Sequence, residues 1–175
     1  MMTENKKPTI KDQLFSKNNK IVIETIKKLR ETGKDNDLNT LIELYVNNNN
    51  KEVNQLIYQL FCDLKTQKST ITIANLIKNT TDKQTLKMLV STCWQSRLNY
   101  INSFELFIDL VINEAFEISF EAFTLIENFE EKTTENRKTE LTTYVKNNIK
   151  KCKDDNLALA VDLVQIIENY KTEEI

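Results

Sequence analysis

Apolar residues return every three or four positions along most of the chain, the spacing that keeps one face of an α-helix in a core. Ile21, Ile26 and Leu29 form a first stripe, which ends near Gly33, a residue suited to closing a helix. Asp35-Asn36-Asp37 then offers caps for a helix with Leu38, Leu41, Ile42 and Tyr45 on one face. A polar loop at Asn47–Asn50 precedes Val53, Leu56, Ile57, Leu60, Phe61 and Leu64. Its end, Asn49-Asn50-Lys51-Glu52, places an acid three residues after a capping candidate. The stretch 69–79, "STITIANLIKN", alternates like a strand in its first half. Leu76-Ile77 and the lack of a partner strand favour helix. Thr81-Asp82-Lys83-Gln84 opens the helix of Leu86, Leu89, Val90, Cys93 and Trp94. Stripes over 104–112 and 116–129 follow, then the charged break "EEKTTENRK" and two last stripes, Leu141–Ile149 and Leu157–Tyr170. About nine helices with short polar links are predicted, in lengths that suit antiparallel neighbours.

Composition strengthens the helical reading. The 175 residues include one glycine and one proline, whereas tight hairpins rely on residues that reach positive φ. The chain is expected to be all-α, with a core large enough to need no disulfide or metal. Cys62, Cys93 and Cys152 are too few and too irregularly spaced for a disulfide framework or a CxxC metal site. The opening "MMTENKKPTI" lacks the apolar run of a signal peptide, and no segment approaches the roughly 20 apolar residues of a membrane span. A cytoplasmic protein without membrane partners is the expectation.

The helices also repeat. Leu41-Ile42, Leu76-Ile77, Phe107-Ile108 and Tyr144-Val145 mark a series of first helices. In the second helices, Leu56, Ile57, Leu60, Phe61 and Leu64 superpose on Leu89, Val90, Cys93, Trp94 and Arg97. Ile118, Ser119, Ala122, Phe123 and Ile126 continue the series more loosely. Phe61, Trp94 and Phe123 thus fall in one recurring slot. A period in the thirties is that of two-helix repeats, each burying its face against its neighbours.

On these residues, "DLNTLIELYVNNNNKEVNQLIYQLFCDLK" followed by "ITIANLIKNTTDKQTLKMLVSTCWQSRLNY", the chain resembles HEAT or armadillo-type α-solenoid proteins. It is similar to the HEAT-like proteins of bacteria of the Bacteroidetes type. The resemblance spans residues 36–130 well and the flanks loosely. It implies a right-handed α-α superhelix of about four antiparallel helix pairs: one solenoid domain over 18–171, a flexible or capping segment at 1–17 and a tail at 172–175. It implies a non-enzymatic scaffold or adaptor that binds another protein along one face. The alternative it carries is a nucleic-acid-binding protein like the DNA alkylation-repair members of that class.

Chemistry and charge bear on the choice. No histidine is present, which removes the commonest general base, the His-paired nucleophiles and most zinc sites. One glycine excludes a Gly-rich phosphate loop. No catalytic, cofactor-binding or metal residue is assigned. Paired carboxylates such as Glu117 with Glu121, or Glu127 with Glu130 or Glu131, read as a solvated face. Formal net charge is −2, without the basicity that a nucleic-acid footprint needs. Lysines crowd residues 1–34, while 98–131 holds eight acids and no Lys or Arg. That acidic block suits a partner with a basic segment, or internal neutralisation by Lys146, Lys150, Lys151 and Lys153 or by the basic N-terminus. In "TCWQSRLNY" (92–100), Cys93 lies mid-stripe and reads as core, with Trp94 on its flank. The candidate partner-binding residues are Trp94, Arg97, Tyr100, Glu117 and Glu121, because Trp, Tyr and Arg are the usual anchors of interfaces.

Overall fold

The computed structural model describes residues 7–173; residues 1–6 of the expected N-terminal segment and 174–175 of the expected tail lie outside the described residues. The fold is all-α: ten α-helices, three short 3-10 turns and, among the described residues, no β-strand. The ambiguous stretch 69–79 is helix throughout. Packing divides the chain into two compact units, which meet in sequence at Leu64 and Lys65.

The first unit holds α1 (Ile10–Leu14), α2 (Asn19–Thr32), α3 (Asp35–Asn47) and α4 (Lys51–Cys62). Helix α2 packs on α1 and α4, and α3 on α1 and α4. Leu14, Val22, Ile26, Leu41, Ile57 and Phe61 are buried in the core. Helix α1 does not stand out in the apolar pattern because it is five residues long. A reciprocal cap holds it: Thr9 Oγ1 accepts from the Asp12 backbone N–H, and the Asp12 carboxylate accepts from that of Thr9. The Asn50 side chain caps α4, accepting from the N–H groups of Glu52 and Val53. At α3 the capping residue is Lys34, and Asp37 reaches back to its N–H at 2.8 Å.

Gly33 does close α2, but in extended geometry, φ −65° and ψ 157°, rather than in the left-handed one. Its necessity is steric. A Cβ there would stand 2.4 Å from the carbonyl oxygen of Leu29, which accepts the Gly33 N–H at 2.8 Å.

The second unit is a run of three helical hairpins: α5 (Ser69–Asn79) with α6 (Lys83–Ser96), α7 (Phe104–Asn113) with α8 (Phe116–Glu127), and α9 (Glu135–Asn148) with α10 (Leu157–Glu168). Helix α8 packs against both α6 and α10, and α7 against α9. Asp82, not Thr81, caps α6, accepting from the Thr85 N–H at 2.8 Å. Hydrogen bonding holds the Asp82 carboxyl below its ordinary range. Among the described residues no helix is long and apolar enough to cross a membrane.

Side chains stitch one hairpin to the next. Gln67 bonds the backbone of Asn99 through both amide atoms, and the Asn99 amide in turn donates to Glu131. Lys83 pairs with Glu114 at 2.6 Å, and the Tyr144 hydroxyl donates to Asp109 at 2.9 Å. Arg137 grips both oxygens of Glu105 and also donates to the Ile101 carbonyl at 2.7 Å. These links join residues 31 to 36 apart in sequence.

The segment after α10 is fastened too. Thr133 and Thr172 form an isolated parallel bridge, with Thr133 N–H donating to Lys171 O and Glu173 N–H to Thr133 O, each at 3.0 Å. The buried Tyr170 hydroxyl donates to the Ile126 carbonyl at 2.5 Å.

Candidate functional site

Helix α6 carries the central residues. Its buried face includes Leu86, Leu89, Val90 and Cys93. Cys93 has no exposed surface, and its thiol contacts the Leu89 carbonyl at 3.3 Å, so it is a small core residue. Trp94 lies at the edge of that face and is half-buried. An indole N–H removed from water needs an acceptor. Glu121, on α8, supplies one at 2.7 Å. Two residues singled out in the sequence for different reasons are thereby joined.

Helix α6 ends at Arg97, whose φ of 57° and ψ of 22° place it in the left-handed region. It is the only non-glycine residue with positive φ among those described. Helices often end this way, but on glycine or asparagine, since a Cβ there meets the carbonyl that follows. Arg97 is exposed and forms no ion pair within the described residues. The reversal turns the chain toward Asn99 and Tyr100. Tyr100 differs from the sequence expectation: it is 2% exposed, edge-on to Phe107 with centroids 5.6 Å apart. Burial pushes its phenol far above the ordinary value, so it stays neutral.

Beyond α8 the chain continues as Asn128, Phe129, Glu130 and Glu131. Phe129 packs in a cluster with Phe104 and Tyr170, at centroid distances of 5.4 and 5.0 Å. The ends of α6 and α8 enclose a cleft of about 590 Å³, within the size range of ligand sites. Trp94, Arg97, Tyr100, Phe129, Glu130 and Glu131 are among its walls. Trp94, Arg97 and Tyr100 therefore share one depression, and Glu121 touches it through the indole.

Glu117 does not. It is exposed on α8 between Phe116 and Phe120, which are each 50% exposed and stack at 6.0 Å. Asn99, Phe129 and the Glu130–Glu131 pair enter the cleft without having been singled out as partner-binding residues. The signal for Asn99 is its place 32 residues after Gln67 and 32 before Glu131, a polar echo of the apolar repeat.

The acidic block is neutralised differently from the expectation. Lys146 pairs with Glu168 at 2.8 Å, outside the block. Glu105 is served by Arg137, which holds its carboxyl below the ordinary range, and Glu114 by Lys83. Burial raises the Cys62 and Cys152 thiols, which disfavours their thiolates. Among the described residues no group of three or more Cys, Asp or Glu converges as a metal site. What the cleft offers is aromatic surface, one guanidinium and carboxylates.

No protein-family model and no curated protein matches the chain. Among solved structures, it is similar to the crystal structure of an engineered protein, a Northeast Structural Genomics Consortium target. The TM-score is 0.50 at 13% sequence identity, over 95% of this chain and 81% of that one. At that identity the likeness concerns the fold alone.

Proposed function

We propose that this chain is a non-enzymatic scaffold of the HEAT or armadillo kind, acting in the cytoplasm, whose second unit binds another protein at the cleft between the ends of α6 and α8. The carrying observation is the cleft itself, which gathers Trp94 and Arg97 beside Tyr100 and two exposed carboxylates. Trp and Arg at the wall of a depression are the residue types from which interface hot spots are built. Several side-chain links between residues 31 to 36 apart support the repeat reading independently of the apolar pattern. A cleft with two Glu against one Arg favours a polypeptide over a phosphate backbone, which would require concentrated positive charge.

Affinity capture with the wild-type chain and with Trp94→Ala/Arg97→Ala is the test. A partner lost by the double variant, at an unchanged melting temperature, supports the cleft as the interface. A partner retained by a folded double variant overturns it.

A further inference from the structure

Resting on the reading of the cleft as a polypeptide site, we infer that it receives a basic side chain of the partner, an arginine before a lysine. The balance of donors and acceptors carries this. The indole N–H of Trp94 is already committed to Glu121. The Tyr100 hydroxyl is buried, and the Asn99 amide donates to Glu131. Arg97 is the one cationic side chain among the lining residues. On the acceptor side, Glu130 is exposed with no ion pair among the described residues, and Glu131 keeps an oxygen beyond the one that Asn99 occupies.

A ligand for such walls must bring donors and tolerate aromatic surface. A guanidinium does both, since its planar fork matches a carboxylate and its face stacks on aromatic rings. Arg97 then acts as a discriminator: it repels a second cation and orients the partner by attracting its carbonyl or carboxylate groups.

Trp94 is the sole tryptophan of the chain, so its emission reports occupancy directly. The probes are acetylated, amidated pentapeptides, Ser-Leu-X-Phe-Ser, with X as arginine, lysine, norleucine or glutamate, titrated by Trp94 emission and by calorimetry. The arginine peptide is expected to bind at least about ten-fold more tightly than the norleucine peptide, roughly 1.4 kcal/mol, with lysine between them and glutamate weakest. The preference should fade in Glu130→Gln/Glu131→Gln, which keeps both side chains nearly isosteric, and also at high salt. Equal binding of arginine and norleucine peptides overturns the inference, as does an arginine preference that survives the double Gln variant. Failure of every peptide to bind overturns it as well. Binding that ignores charge yet vanishes in Trp94→Ala/Arg97→Ala leaves the polypeptide site standing without the basic side chain. Retention of the captured partner by that variant removes the site itself.

Discussion

Helices α4 and α6 carry the same apolar stripe, yet they end differently. Phe61 in α4 is fully buried, and the cap residue Asp63 keeps φ −92° while its N–H bonds back into the last turn. Trp94 fills the equivalent slot in α6 but stays half-buried, and the helix then reverses through a left-handed Arg97. One hetero-atom accounts for much of the contrast. A benzyl side chain can be sealed in without a partner, whereas an indole N–H must keep an acceptor, and Glu121 holds it at the boundary. The first end is built for packing. The second exchanges some packing for an opening.

Substitutions can break that comparison in order of size. Phe61→Ala should cost about 3–5 kcal/mol, as expected for a buried aromatic, and Trp94→Ala distinctly less. Equal losses in chemical denaturation would mean that Trp94 is a core residue like Phe61. Glu121→Ala leaves the indole N–H without its acceptor and should cost about 1–2 kcal/mol. A blue-shifted or red-shifted Trp94 emission in the folded variant would show the side chain resettling. Arg97→Gly should stabilise by about 1 kcal/mol through relief of the left-handed backbone, a rise of about 2–4 °C in Tm for a chain of this length. The same substitution at Asp63 should destabilise, because no positive φ is relieved there.

The smallest effect concerns pH. With no histidine, stability should be flat between about pH 6 and 8. Glu105 has a folded pKa depressed by Arg137, so its contribution is complete above the ordinary glutamate value of about 4.3 and disappears as pH falls through the lower folded value. At the alkaline end the sign reverses. Burial and the bond to Asp109 push Tyr144 up to about 12, so its contribution holds below about pH 10 and is lost as pH rises through the folded value. Arg137→Ala should lower the neutral plateau and flatten the acid limb attributable to Glu105, because the contribution it removes is the one fully present above that limb. Denaturation curves at stepped pH would show both.

Helix positions are legible because periodicity and polar starts agree to within a residue. Asn49-Asn50 and Thr81-Asp82 mark the starts of α4 and α6, although in each the second residue of the pair is the one that caps. Helix α1 was not, since Ile10 and Leu14 are too few to display a period. The slot shared by Phe61, Trp94 and Phe123 could be read as a position, but its exposure could not, because that depends on Glu121 arriving from another helix. Tyr100 shows the converse. As an aromatic after a helix end it reads as a surface anchor, whereas in the fold it turns inward, edge-on to Phe107 and beside Cys93 and Ser96. Glu130 and Glu131 read as solvated charge until the turn at Arg97 places the end of α6 against them.

The bridge of Thr133 to Thr172 has a consequence for kinetics. Most helices pair with a neighbour or a next neighbour in the chain, which makes for low contact order and rapid assembly. The closure after α10 is among the longest-range contacts: Tyr170 reaches back 44 residues to Ile126, and the Thr133 bridge joins residues 39 apart in the same region. Such a clasp closes late, after the hairpins exist. In hydrogen exchange, the amides of Thr133 and Glu173 should then open before the helices they fasten.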